Sequence, residues 1–183
     1  RVVKAGQKFH RYAWHDRKAW WQQEQGILAY FILQGLFPEN TDYAKYADES
    51  AAFYNSFFLD NSDGGVYFNV LANGMPYLLG TERFKGSHSM SAYHSTELCF
   101  LSTVYIDLMT NKRPLDLYFA PISGGFTDNI LRVSPDILPK GSVKLTGCEI
   151  DGQTYSDYDS DLLLVNLPHS KSRLKVKVTL TPV

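Results

Sequence analysis

An excess of charge of either sign is missing from this sequence. Its 183 residues carry 18 Lys and Arg against 19 Asp and Glu, a formal net charge of −1. No global basic field exists to hold a polyanion, so nucleic acid is not an expected partner. Cysteine is almost absent: Cys99 and Cys148 stand alone in unrelated contexts, which supports neither a disulfide framework nor a zinc knuckle and makes a reducing cytoplasm the expected compartment. Long apolar runs are lacking too. The longest, Ile27 to Leu33, lies between Gly26 and Gln34 and falls far short of the ~20 residues that span a bilayer, so no membrane partner is expected. Residue 1 is Arg, and no charged segment precedes an apolar stretch; a secretory signal is not expected, and the chain reads as a piece of something longer. No P-loop, Gly-x-Ser-x-Gly or His-Glu-x-x-His occurs. Asp157, Asp159 and Asp161 imitate the start of an EF-hand loop, but Leu162 stands where its Gly belongs and Pro168 where its Glu belongs. No metal is expected there.

What is present is enough apolar material for a core, 44% of residues, and a surplus of rings. Twelve Tyr, eleven Phe and three Trp are concentrated in the first two thirds, where an aromatic concave surface would suit a flat or ring-shaped ligand.

The periodicity changes once along the chain. From about His10 to Gly35 apolar residues recur at helical spacing, with Trp14, Trp21, Leu28 and Ile32 on one stripe and Trp20, Ile27 and Phe31 on the next. Gly35 is the expected terminator and Pro38 marks the connection. Thr41 or Asp42 can cap a second helix carrying Tyr43, Tyr46, Ala47, Phe53, Tyr54 and Phe57, and the two helices read as an antiparallel hairpin. Asn73-Gly74 between two apolar runs predicts a β-hairpin at about 66–80 with a type I′ turn. A third helix is expected from about Ser91 to Met109. Beyond Asn111, Pro and Gly punctuate short strand-like runs, Asp151-Gly152 marks a second hairpin, and Leu174, Val176, Val178 and Leu180 alternate with polar residues. Lys171, Arg173, Lys175 and Lys177 fall on the wet face of that last strand, with Lys guarding a sheet edge. The fold class is therefore α+β: a helical part over about 1–113 and a small antiparallel β domain over about 120–183.

Two clusters carry chemistry. Trp20-Trp21 followed by Gln22-Gln23-Glu24-Gln25 puts aromatic planes beside amides and a carboxylate, which can stack on and hydrogen-bond a sugar. Glu24 follows the stripe of Trp20 and Gln25 that of Trp21, so one of the two polar groups faces inward. The loop containing His88 leads to Tyr93 and His94, and His94 and Glu97 are helix neighbours three apart. A carboxylate at that spacing orients an imidazole, a group able to move a proton near neutral pH.

In order, these segments resemble the C-terminal half of the N-acylglucosamine 2-epimerase family. Lys18-Ala19-Trp20-Trp21 with its Gln and Glu cluster is similar to the family's Trp-Trp helix. Phe57 to Asp60, then Asp63-Gly64-Gly65 to Phe68 and Gly74-Met75-Pro76, are similar to its Asp-Gly-Gly hairpin, and Lys85-Gly86 to Tyr93-His94 to its Lys-Gly-x-Tyr-His helix start. The resemblance spans about residues 17 to 110. It implies an (α/α)6 toroid around a sugar pocket, in which two histidines move a proton at the carbon next to a carbonyl, with no cofactor. His94 would be one of the two, with Glu97 orienting it. Trp20, Trp21, Gln23, Glu24, Gln25, Tyr93 and His88 would bind a monosaccharide. The sequence departs from the family at two points: amides and Glu24 stand where a second His is usual, and Glu97 stands where an Arg is usual. Three helices also fall short of about twelve, so the toroid would be incomplete. Its exposed helix faces predict self-association or association with a missing N-terminal half. The alternatives are a noncatalytic carbohydrate-binding or scaffold protein and, last, an inverting glycosidase using Glu24 and Glu97, which needs water access to both carboxyls.

Overall fold

A computed structural model describes residues 16–86, 90, 92–133 and 138–183. Within these the order is β1 (Arg17–Ala19), α1 (Trp20–Leu36), α2 (Thr41–Phe57), β2 (Asn69–Leu71), α3 (Tyr93–Tyr105) continued by a π-helical turn (Ile106–Thr110), then β3 (Leu115–Phe119), β4 (Ile130–Arg132), β5 (Val143–Ile150), β6 (Gln153–Thr154), β7 (Tyr158–Asp159), β8 (Leu164–Asn166) and β9 (Val176–Pro182). The fold is mixed α+β with small antiparallel sheets. It forms two compact units, divided between Tyr30 and Phe31, between Tyr43 and Ala44, and between Cys99 and Phe100. No helix among the described residues is long and apolar enough to cross a membrane.

In the first unit α1 starts later than its periodicity predicts. Positions 10–15, with Trp14, lie outside the described residues. Arg17–Ala19 is a strand, pairing antiparallel with β2 as Arg17↔Leu71, Lys18↔Val70 and Ala19↔Asn69, and the Trp20 amide donates to the Phe68 carbonyl (3.0 Å). The antiparallel run of α1 and α2 shows in the pairs Glu24–Tyr54 and Tyr30–Tyr46. Neither Thr41 nor Asp42 is the cap: the Asn40 side chain accepts from the Asp42 amide (3.2 Å). The β-hairpin at 66–80 is reduced to the bridge Val70↔Pro76: one edge of β2 pairs with β1, and on the other Pro76 has no N–H to extend the ladder. Its turn is not type I′. Gly74 has φ +87°, Asn73 does not have positive φ, and the Gly74 amide donates to the Leu71 carbonyl (2.9 Å), the pattern of a type I turn closed by a glycine bulge.

In the second unit Gly35 does not stop α1, which runs on to Leu36. Its role is close approach: a Cβ there would lie 2.6 Å from Cβ of Met109. One sheet has the order β3-β9-β5, with β6 hairpinned onto β5, and another the order β4-β8-β7; both contribute side chains to one core. Asp151 and Gly152 both adopt positive φ (51° and 80°), as a type I′ turn requires. β5 carries a bulge between Leu145 and Gly147 and runs on to Ile150. Leu174, Val176, Val178 and Leu180 are all at most 3% exposed and pack with Val104 and Leu108. β9 is the central strand rather than an edge, so Lys177 is flanked on both sides, by Asp116 (3.2 Å) and Glu149 (3.5 Å). Asp157, Asp159 and Asp161 serve local structure. Asp157 accepts from Asn166 (2.6 Å), Asp159 from the Asp161 and Leu162 amides (3.0 and 2.8 Å), and Asp161 pairs with Lys144 (3.2 Å).

Candidate functional site

The first unit gathers most of the residues that the sequence singles out. α1 begins at Trp20, so Trp20 and Glu24 fall one above the other on its inner face. Trp20 is buried between Phe68 (ring centroids 5.2 Å) and His94 (6.3 Å). Trp21 is 41% exposed and lies nearly parallel to the His94 imidazole, with centroids 6.0 Å apart and planes at 28°. The imidazole and the paired indoles therefore meet.

His94 is held from α1 and from its own helix. The Gln25 Nε2 donates to Glu97 Oε2 at 2.6 Å and lies 3.4 Å from His94 Nδ1. Glu97 Oε2 is 3.5 Å from the same Nδ1, and Tyr93 donates to Glu97 Oε1 (3.3 Å). Because a carboxylate only accepts, the bond to Glu97 fixes which end of the Gln25 amide faces the pair. Two ring states follow. When Gln25 donates its second hydrogen to Nδ1, the neutral ring carries its proton on Nε2 and can only donate there. When Nδ1 carries the hydrogen and turns it to Glu97, Nε2 holds a lone pair and can take a proton. Gln23 joins none of these bonds, and His88 lies outside the described residues.

Glu24 is the inward polar residue that the helical spacing requires, and it is sealed at 0% exposure. Its Oε1 accepts from the hydroxyl of Tyr54 on α2 and from that of Ser95 on α3 (2.6 Å for Ser95). One carboxylate thus ties α1, α2 and α3 together. Burial, then the hydrogen bond and charge of Glu24, push the Tyr54 phenol well above its ordinary value of 10.0. Oε2 of Glu24 and Nε1 of Trp20 are buried without a partner among the described residues. A carboxyl so enclosed lacks the water access that a two-carboxylate glycosidase demands, so that expectation is corrected. Tyr54 and Ser95 were not legible as partners. Tyr54 sits at a core position of α2, and only the need of a buried phenol for a partner points to its role.

The Asp-Gly-Gly and Lys-Gly blocks meet through one ion pair. Lys85 Nζ contacts Asp60 Oδ2 (2.8 Å) and donates to the Gly64 carbonyl (3.0 Å). Asp60 also accepts from the Ser62 and Asp63 amides and the Tyr67 hydroxyl. Lys85 first and those donors after it hold the Asp60 carboxyl below its ordinary value of 3.8. Beside Trp21 opens a cleft of about 380 Å³ lined by Arg17, Ala19, Trp21, Gln22, Phe68 and Asn69. Arg17 and Asn69 carried no signal of a site in the sequence, since β1 and β2 are far apart along the chain and meet only by pairing. Among the described residues no group of three or more His, Cys, Asp or Glu side chains is placed to hold a metal ion.

No protein-family model matches the sequence, and no curated protein matches it. Among solved structures, the chain is similar to the cellobiose 2-epimerase of Spirochaeta thermophila DSM 6192, with a TM-score of 0.45 and 26% identity over 50% of this chain and 22% of that one. It is also similar to the cellobiose 2-epimerase of Bacillus thermoamylovorans B4167, with a TM-score of 0.41 and 19% identity over 48% and 21%. The chain spans about a fifth of the length of both.

Proposed function

We propose that the first unit is the C-terminal portion of an α/α toroid and works as a carbohydrate epimerase or isomerase. A free sugar in its open-chain form would rest against Trp21, and His94 would move the proton at the carbon next to the carbonyl. His94 takes the proton as the C–H electron pair passes into the carbonyl to give an enediolate; water delivers a proton to the other face of that carbon, which restores the carbonyl and completes the inversion, and the hydroxide left is neutralised by the proton that His94 holds. The observation that carries this reading is the clamped imidazole: Trp21 covers its face while Gln25 and Glu97 govern Nδ1, which decides whether Nε2 donates or accepts. The ordered resemblance of the three sequence blocks supports it.

The test is incubation of the protein in D2O with a panel of reducing sugars, followed by NMR at the carbon beside the carbonyl. Deuterium uptake that falls by about 10²–10⁴-fold in His94→Ala, the range of general acid–base catalysis, is the expected result. Uptake unchanged in His94→Ala refutes it. One observation favours a second reading, a noncatalytic carbohydrate-binding protein. The 2.6 Å bond holds the Gln25 amide against Glu97, beside Nδ1, and so favours the state in which His94 only donates. Sugar binding with no deuterium uptake is the outcome that establishes it.

A further inference from the structure

The cleft beside Trp21 carries information about the ligand that the His94 group does not. Alternation along β1 puts Arg17 and Ala19 on one face and turns Lys18 to the other, where its Nζ sits 3.6 Å from the Phe53 ring centroid. Arg17 is thereby the one charged side chain among the six that line the cleft. Its Nη1 donates to Glu82 Oε2 (2.7 Å), and the same oxygen accepts from Asn69 Nδ2 (2.5 Å). Nε and Nη2 of Arg17, the pair that forms the side fork of the guanidinium, have no partner among the described residues. A carboxylate or phosphate takes such a fork through two parallel charge-assisted bonds, whereas a hydroxyl takes only one.

The rest of the lining suits a sugar ring. Trp21 and Phe68 supply flat apolar walls, and the Gln22 amide is exposed. Asn69 is 2% exposed and commits its amide nitrogen to Glu82, which leaves its carbonyl oxygen to accept. Trp21 and Gln22 also belong to the first turn of α1, which carries no acidic side chain; the carboxylate next to the cleft is Glu82, which is tied to Arg17 and Asn69.

We propose that this cleft binds a sugar bearing an anionic group, a carboxylate or a phosphate, with the free fork of Arg17 as the anion's partner. The inference rests on the sugar-binding reading above and names the class of its ligand. Isothermal titration of the full 183-residue chain with glucose, glucuronate and glucose 6-phosphate tests it. At least one acidic sugar is expected to bind about tenfold or more tighter than glucose, the worth of one well-made charge-assisted bond, and comparison of the two acids identifies which anion. Arg17→Gln is expected to abolish the preference, read as the ratio of acidic-sugar to glucose affinity in the same protein. Arg17→Lys keeps the charge that pairs with Glu82 but loses the fork, so it guards against loss of fold and is expected to lose most of the preference. Equal affinity for acidic and neutral sugars, or a preference that survives in Arg17→Gln, overturns the inference while leaving the sugar reading intact. Absence of binding to all three overturns both.

Discussion

The carboxylate of Glu24 gives the sharpest test of how the helices are held. Tyr54→Phe removes one hydroxyl and nothing else, because the ring of Tyr54 stays stacked on Phe58, with centroids 5.4 Å apart and planes at 13°. Among the described residues Glu24 then keeps only Ser95 on Oε1, and Oε2 has no partner. A hydrogen bond to a charged group is worth about 1.5–3 kcal/mol, and the site is fully buried, so a loss of stability of that size is expected near pH 7. All three tryptophans lie within the first 21 residues, which makes urea unfolding followed by tryptophan fluorescence a readout of this part of the chain. The pH dependence supplies a second axis. The folded state holds the Tyr54 phenol above 10.0, so its contribution is fully present below pH 10 and is lost as pH rises from there. The unfolded chain releases that proton first, at a cost of up to about 1.4 kcal/mol per pH unit. Phe has no such proton, and the stabilities of the two proteins must converge above pH 10. A change below about 0.5 kcal/mol at pH 7, within the range of an ordinary surface substitution, would refute the assignment of Glu24 as the tie between helices.

Three further outcomes follow from the backbone and the β core. Gly74→Ala puts a methyl group 2.7 Å from the Phe57 ring at φ +87°, whereas Gly152→Ala, at φ +80°, meets nothing within 4 Å. The first is expected to cost clearly more than the roughly 1–2 kcal/mol of left-handed strain that both share, as read by chemical denaturation. Gly35→Ala drives a methyl into Met109 and is expected to destabilise by about 1–3 kcal/mol despite the better helix propensity of Ala; a stabilised variant would contradict the close approach. Leu180→Ala empties a fully buried position between Leu115 and Leu145, with an expected loss of about 2–5 kcal/mol and faster amide exchange along β9.

The parts of the fold legible in the sequence are those with local causes. The alternation of Leu174, Val176, Val178 and Leu180 and the Asp151-Gly152 turn are visible because side-chain period and positive φ are properties of neighbouring residues. The misreadings are long-range. Lys18 and Ala19 have no local reason to leave the helix, yet pairing with Val70 and Asn69 draws them into a strand. Gly35 carries the signature of a helix end, but the demand for space at Met109 comes from far along the chain. The same division holds in the candidate site. The neighbourhood of His94 and Glu97 follows from helical spacing, whereas Arg17 and Asn69 are brought together only by the sheet.

Glu24 and Gln25 show how one turn of helix divides two tasks. Adjacent residues on an α-helix point about 100° apart, so a helix with one buried face can turn only one of them fully inward. The structure turns Glu24 inward, where two hydroxyls from other helices hold it away from water. It leaves Gln25 half-buried, within reach of Glu97 and His94. The two roles are linked through α3, because Ser95, which binds Glu24, directly follows His94 in sequence. A shift of α3 that breaks the Ser95 bond must also move the imidazole relative to Trp21. The buried carboxylate therefore sets the geometry of the half-buried imidazole without touching it.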